Sequence, residues 1–367
     1  MTPAEPAPQR DTRPPSEASS GDEGDAIFTT RHAPARHLPG KGAPAAAPEN
    51  DASNAAWSLL GGSRAESVRT VGWCNLTSLR SLREGVFATV YEGTLEGQQV
   101  ALKTLKPSTC DDEKAVLGLK RETMLMALMR HQNVLSMVAL GDESGKPFLV
   151  LPRLESVLAD ELPSDPSSTA FWVRRRQIKA WPLSRAIRHG IDLSRALEYC
   201  HDHAFAGFRV LHRDVTPKNV GFLNGRLVLF DFGLASLWAV DAQQAPDEAH
   251  DLAYLHGSVR YTSPEVANSE PYCHKTDVFS FATVLWEMAA HRRPFSMFLD
   301  DQLPAVLAKS VTPPMPKGWP DGLQELLREC WSRDQDKRPE FRELVTRLEA
   351  LSVVATLGSI KENRVCP

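Results

Sequence analysis

The sequence predicts an α+β protein of two lobes, a small antiparallel-β lobe carrying one helix and a larger, mainly α-helical lobe. Three observations predict this. β-rich runs crowd residues 76–151, helical periodicity takes over from about residue 155, and short strands flank a polar loop, "HRDVTPKNV", from His212 to Val220.

Composition narrows the function classes. A chain of 367 residues is long enough for about two domain-sized units, and 42% hydrophobic with 24% charged residues is ordinary for a globular protein. The net charge of -4 gives no electrostatic case for nucleic acid or an anionic membrane. Six cysteines without a CxxC pair point to neither a zinc site nor a disulfide framework, so a reduced, cytoplasmic setting is expected. No apolar run approaches the ~18 residues of a membrane span, and "MTPAEPAPQRDTRPP" has no signal-peptide core. A soluble protein is expected, and oligomeric state is not legible.

The elements follow in order. Residues 1–70 are rich in Pro, Ala, Gly, Ser and charge, and nine of the 27 prolines fall in the first 50 residues. Such a segment buries too little apolar surface to offset its ordering entropy and is expected to be a disordered tail. "GVFATVYEGTLEGQQVALKTL" (85–105) reads as two consecutive antiparallel strands, and "GLKRETMLMALMRH" as a helix with Leu117, Met124, Leu125 and Leu128 at helical spacing. "SMVAL" and "PFLVL" read as two further strands. After Pro152, "PLSRAIRHGIDLSRALEYCHDH" and "KTDVFSFATVLWEMAA" are helical, with Phe281, Val284, Leu285 and Met288 on one broad apolar face. Between them "VGFLNGRLVLFDFG" holds two short strands about Asn224-Gly225, a dipeptide suited to a type I′ turn. The folded domain is thereby placed at 76–354, its lobes at about 76–151 and 155–354, and a short tail at 355–367.

Chemistry enters with the polar loop. A strand ends at Leu211, the loop carries Asp214 and Asn219, and the second hairpin strand delivers Asp231. Two carboxylates and a carboxamide at one end of a small sheet are a hard-oxygen set suited to Mg²⁺, which favours one or two carboxylates plus substrate phosphates. A nucleotide is implied.

These motifs, in this order, resemble the protein kinase superfamily over residues 76–354. "VALK" (Val100 to Lys103) is similar to the family's strand lysine motif, which makes Lys103 the cation for the α- and β-phosphates. Glu122, nine residues before His131, stands where the family's helix glutamate pairs with that lysine. "HRDVTPKNV" resembles the catalytic loop: the resemblance implies Asp214 as base, Lys218 as a nearby cation and Asn219 as a metal ligand, with His212 and Arg213 as structural and regulatory neighbours. "DFG" implies Asp231 on Mg²⁺ (or Mn²⁺), with Phe232 and Gly233 as the switch. In "GSVRYTSPE", Ser258 stands where serine/threonine kinases carry a hydroxyl beside the catalytic aspartate. Glu265 is expected to bridge to Arg338, and Asp277 to anchor the catalytic loop. ATP is implied between Gly85, Val90, Ala101, Lys103 and Leu151, its adenine pairing with Pro152 C=O and Leu154 N–H, and protein substrates are the implied partners.

Several positions depart from the family pattern. The glycine loop falls on Arg83, Gly85 and Ala88, so only the middle glycine survives; weakened nucleotide binding is expected, or else Arg83 itself touches phosphate. Gly221 replaces a large apolar residue under the adenine, which implies less packing there. Thr216 stands where serine/threonine kinases have lysine, and the cation comes at Lys218, where many tyrosine kinases have arginine. "GSVRYTSPE" and the "CW…RP.F" ending nonetheless resemble the tyrosine-kinase-like serine/threonine kinases most closely. Asp241, Asp247, Glu248 or Asp251 is expected to stand in for an activating phosphate opposite Arg213. The basic run "VRRRQIK" (Val173 to Lys179) reads as a solvated face, with docking of an acidic partner as the other reading. A pseudokinase scaffold is the rival to an active enzyme, and the degenerate glycine loop is its support.

Overall fold

A computed structural model describes residues 68–143, 146–163, 170–240 and 259–362, with side chains through 353. Residues 1–67 of the expected tail, with Ser258, Asp241, Asp247, Glu248 and Asp251, lie outside the described residues.

The first lobe is a six-stranded sheet with one helix. Its strands are β1 (Thr70–Val71), β2 (Leu76–Glu84), β3 (Ala88–Leu95), β4 (Gln98–Leu105), β5 (Ala139–Glu143) and β6 (Lys146–Pro152), in the order β1-β5-β6-β4-β3-β2. All neighbours are antiparallel except β1, which lies parallel to β5. Strand structure thus begins at Thr70, ahead of the expected start at 76. β5 starts at Ala139 rather than Ser136: the Met137 N–H still donates to the Met126 carbonyl of the helix at 3.4 Å, and bonding to β6 begins with the Val138 N–H on the Val150 carbonyl at 2.8 Å. The helix α1 (Glu113–Leu128) begins four residues before the apolar periodicity, at Asp112, whose carboxylate accepts from the N–H groups of Lys114 and Ala115. One sheet face packs on Leu76, Leu95, Val100, Leu102, Phe148 and Val150.

A single hinge leads from β6 into the second lobe, through β7 (Ser156–Val157) and the short α2 (Leu158–Glu161), then α3 (Phe171–Ala180) and α4 (Leu183–Glu198). β8 (Phe208–Leu211), β9 (Val220–Leu223), β10 (Arg226–Leu229) and β11 (Ser236–Ala239) frame the catalytic region, and α5 (Pro264–Ala267), α6 (Lys275–Ala290), α7 (Leu303–Ala308), α8 (Asp321–Cys330) and α9 (Phe341–Glu362) complete the lobe. β9 and β10 pair in the register of a two-residue hairpin, Leu223 opposite Arg226, with Asn224 and Gly225 at φ 52° and 69°. Both turn residues therefore occupy the left-handed region that Asn-Gly tolerates. α6 is buried along nearly its whole length and forms the centre of the lobe, which explains why its apolar face reads so broad in sequence. Together with α4, α8 and α9 it closes one large core that continues beneath the cleft through Phe232, Val220 and Leu229.

Candidate active site

The site is assembled from four elements that meet at the lobe junction. β4 carries Lys103, held in register opposite Val90 on β3 and Leu149 on β6. α1 carries Glu122, one helical face of which is buried by Leu119, Leu125 and Met126. The loop after β8 carries Asp214 and Asn219, and the end of β10 leads directly to Asp231.

Explicit bonds join them. Lys103 Nζ donates to Glu122 Oε1 and Oε2 at 2.9 and 2.7 Å and to Asp231 Oδ1 at 2.8 Å. Asn219 Nδ2 donates to Asp214 Oδ2 at 2.6 Å and to the Asp214 carbonyl at 2.9 Å. The Phe230 N–H donates to the Asn219 carbonyl at 2.9 Å, which sets Asp231 beside the catalytic loop. Residues 128 positions apart are thus brought into one network of charge.

The electrostatics follow from burial and pairing. Burial alone would discharge Lys103, but the carboxylates of Asp231 and Glu122 outweigh it and hold the ammonium well above the usual lysine range. Burial pushes Glu122 up to about 7 against the pull of Lys103, and the neighbouring Asp231 charge adds to the rise. Asp231 feels the same burial, yet Lys103 keeps it below the usual carboxylate value. Of the two carboxylates on Lys103, Glu122 therefore takes the first proton.

The catalytic loop is held from below. Asp277 on α6, fully buried, accepts from the His212 and Arg213 N–H groups at 2.8 and 2.9 Å and from the His201 ring at 2.9 Å. Burial opposes its charge, and the His201 bond leads the groups that keep it ionised. Arg213 and Asp231 sit at φ 66° and 63°, strained for residues with a Cβ; the Asp277 bond holds Arg213 and the Lys103 bond holds Asp231. Phe232 is buried against the His212 ring with centroids 4.8 Å apart, and a Cβ on the following Gly233 would fall 3.4 Å from Asp231 Oδ1. Farther down, Arg338 meets Glu265 in a two-pronged pair, 2.6 and 2.8 Å, with both side chains at most 2% exposed.

The remaining expected residues have these places. Val90, Ala101 and Leu151 pack on the large core, with Ala101 opposite Leu151, while Pro152 ends β6 opposite Val100 and leads to Leu154 at the hinge. Lys218, exposed, lies in the single 3₁₀ turn Pro217–Asn219. Gly85 sits at the β2–β3 turn, its N–H on the Ala88 carbonyl at 2.8 Å, and the Phe87 carbonyl is held by Lys106 N–H and the Thr109 hydroxyl.

Three features escaped the sequence reading. Arg83 points away from the turn to Asp160 on α2, 3.0 Å, so the first glycine position is occupied by an ion pair joining β2 to the far side of the hinge. Gly221 does not leave its space empty: a Cβ there would fall 2.7 Å from Leu154 Cδ1, because the hinge leucine fills the position of the missing side chain. His201, the partner of Asp277, had only its place at the end of an apolar helix face to announce it.

The set can hold a divalent cation by its chemistry. With its Nδ2 on Asp214, Asn219 keeps its amide oxygen for other partners, and Asp231, which also accepts the Gly233 N–H, has a second carboxylate oxygen beside the one on Lys103. Among the described residues no cluster of three His, Cys, Asp or Glu side chains forms a preassembled metal cage, and a cation held by one carboxylate, one amide and phosphates needs none.

Comparison with known proteins agrees with this geometry. The family model for protein tyrosine and serine/threonine kinases matches residues 76–348. Serine/threonine-protein kinase 12 of Arabidopsis thaliana is 32% identical over 275 residues, 74% of this chain and 55% of that protein. The serine/threonine/tyrosine-protein kinase HT1 of the same plant is 26% identical across 72% of this chain and 63% of its own, and the dual specificity protein kinase shkE of Dictyostelium discoideum is 26% identical across 75% and 36%. The chain spans about half the length of the first of these relatives. With a family model that matches most of its length and a relative 32% identical over 74% of it, the chain belongs to the protein tyrosine and serine/threonine kinase family.

Proposed function

We propose that the chain is a protein kinase that transfers the γ-phosphoryl group of ATP to serine or threonine hydroxyls of protein substrates, with Mg²⁺ (or Mn²⁺) as cofactor, in the cytoplasm. The observation that carries it is the bonded set Glu122–Lys103–Asp231 facing Asn219–Asp214. Lys103 binds the α- and β-phosphates, Asn219 and Asp231 hold the cation, and Pro152 C=O with Leu154 N–H pairs the adenine. Asp214 accepts the substrate hydroxyl proton, and Lys218 offsets charge gathering on the transferred group. The bound cation neutralises phosphate charge; the rest of the catalysis is positioning and preorganised electrostatics, since loose phosphoryl transfer needs little covalent help.

Preference for Ser/Thr rests on the resemblance of "GSVRYTSPE" to the serine/threonine form of that segment. Phosphoamino-acid analysis of purified protein incubated with Mg²⁺ and labelled ATP tests it: phosphoserine and phosphothreonine are expected from wild type and neither from Asp231→Asn. Label on tyrosine alone would reverse the preference.

A second reading, a scaffold that binds nucleotide weakly, is favoured by the glycine loop, whose turn is tied down and whose first glycine position is spent on the Arg83–Asp160 pair. Thermal-shift titration separates the two. A competent site raises the melting temperature steadily with Mg²⁺·ATP, and a flat response at millimolar nucleotide supports the scaffold.

A further inference from the structure

The basic run of the sequence forms α3, and this helix buries none of its residues. Only Arg174 and Gln177, three positions apart, are partly covered, so they mark the side turned toward the protein. The helix is nonetheless clamped. Arg174 Nη2 donates to the His291 carbonyl at 2.8 Å, the His291 ring donates back to the Trp181 carbonyl at 2.6 Å, and Trp181 itself is buried beneath the Arg185 guanidinium. A firmly seated helix therefore presents an outward face that nothing among the described residues covers.

That face has a definite chemistry. At about 100° per residue, the side opposite Arg174 and Gln177 carries Arg175, Lys179, Trp172 and Arg176, with Phe171 at its border. Phe171 and Trp172 are 69% and 73% exposed and lie edge to face, with centroids 5.3 Å apart. Arg175, Arg176 and Lys179 have no carboxylate partner among the described residues, and the helix contains no acid. Beyond the clamp, Arg292 and Arg293 next to His291 are exposed as well. In a chain of net charge -4 this is a local concentration of positive charge around two uncovered aromatic rings.

We propose that the outward face of α3 docks an acidic polypeptide segment that carries apolar side chains between its carboxylates. Arginine forks match carboxylates in pairs, and exposed Trp and Phe are the side chains that anchor interfaces once covered. A lipid surface suits the pattern less well. Interfacial helices segregate apolar from charged residues, whereas here Arg175 and Lys179 fall between Phe171 and Trp172 around the helix.

The test is fluorescence anisotropy of a labelled peptide of alternating Glu and Leu, titrated with the full chain. Binding that weakens at least tenfold between low and physiological salt is expected, together with at least a tenfold loss in the Arg175→Glu/Arg176→Glu variant and a severalfold loss in Trp172→Ala. Both variants should keep the wild-type melting temperature, because the altered side chains are exposed; should either unfold, the salt titration of wild type and a Lys-for-Glu control peptide decide. No binding by wild type, or equal binding by the double variant and by the control peptide, overturns the proposal. So does co-sedimentation with phosphatidylserine vesicles in the absence of peptide binding, which would assign the face to membranes.

Discussion

The two walls of the candidate active site are built differently. On the lower wall, the catalytic loop rests on groups sealed in the core: Asp277 gathers His212, Arg213 and His201, and Arg338 clasps Glu265 with both partners dry. On the upper wall, the turn proposed to cover phosphate has one glycine of the three in the family pattern and is steadied by surface contacts, chiefly an Arg83–Asp160 pair whose side chains are 48% and 61% exposed. The contrast teaches where this chain invests its constraint. The charges of the lower wall are backed by buried partners, while the turn proposed to cover the nucleotide is held by a pair exposed enough to open.

The sharpest break in that comparison is Asp214→Asn. The substituted side chain keeps its size and its place beside Asn219 but cannot accept the substrate proton, so phosphotransfer should fall by on the order of 10²–10⁴-fold while the melting temperature stays at the wild-type value. Steady-state rates with excess Mg²⁺·ATP measure it, and retention of full rate would remove Asp214 from the assigned role.

Next in size is Arg338→Met. It strands the Glu265 carboxylate in the core with its two-pronged partner gone, a situation that costs about 3–5 kcal/mol. Urea unfolding should show the midpoint falling without a comparable change in slope. A loss below about 1 kcal/mol would mean that the lower wall is no better anchored than the surface, and the contrast between the walls would fail.

The upper wall also has one deep element, the Glu122–Lys103 pair, and it should respond to pH. Burial raises Glu122 from 4.5 to about 7. The sign runs one way for stability: a carboxyl with a raised folded value contributes stability that is complete below about 4.5 and is lost as pH rises to about 7. For activity it runs the other way, because protonation removes one of the two carboxylates that position Lys103. Phosphotransfer should therefore decline as pH drops below about 7, and Glu122→Gln should be slow and flat across that interval. A wild-type profile without this step would show that Glu122 stays charged throughout.

How much of this was legible beforehand follows the same division. That Lys103, Glu122 and Asp231 would meet, with Asn219 beside Asp214, could be read from sequence through the family motifs that carry them, and the Asn224-Gly225 hairpin because few dipeptides tolerate two left-handed residues. α6 declared itself through a broad apolar face that only full burial requires. β1 did not, since two residues pairing in parallel with a distant strand leave no local period. The filling of Gly221's space by Leu154 was equally silent, because a compensating pair 67 positions apart is written nowhere in either residue alone; the absence read as a gap was a packing solution. The Arg83 pair was silent for a related reason: the neighbours of Arg83 suggest phosphate contact or lost flexibility, and the ion-pair partner it has in the structure lies on the other side of the hinge.

That partner supplies the finest test. An exposed ion pair contributes about 0.2–1 kcal/mol, so either Arg83→Gly or Asp160→Asn should change the dissociation rate of a fluorescent ADP analogue by no more than about fivefold, and in the same direction. The charge swap Arg83→Asp with Asp160→Arg should return the rate toward wild type, and raising salt well above 0.15 M should erase the difference among all four proteins, since charges on the surface are screened within about 8 Å at physiological ionic strength. If Arg83 instead grips a phosphate, its replacement alone slows nothing and speeds release, Asp160→Asn leaves the rate untouched, and the swap fails to rescue. The upper wall would then hold its nucleotide directly, and the division between a rigid floor and a yielding roof would have to be redrawn.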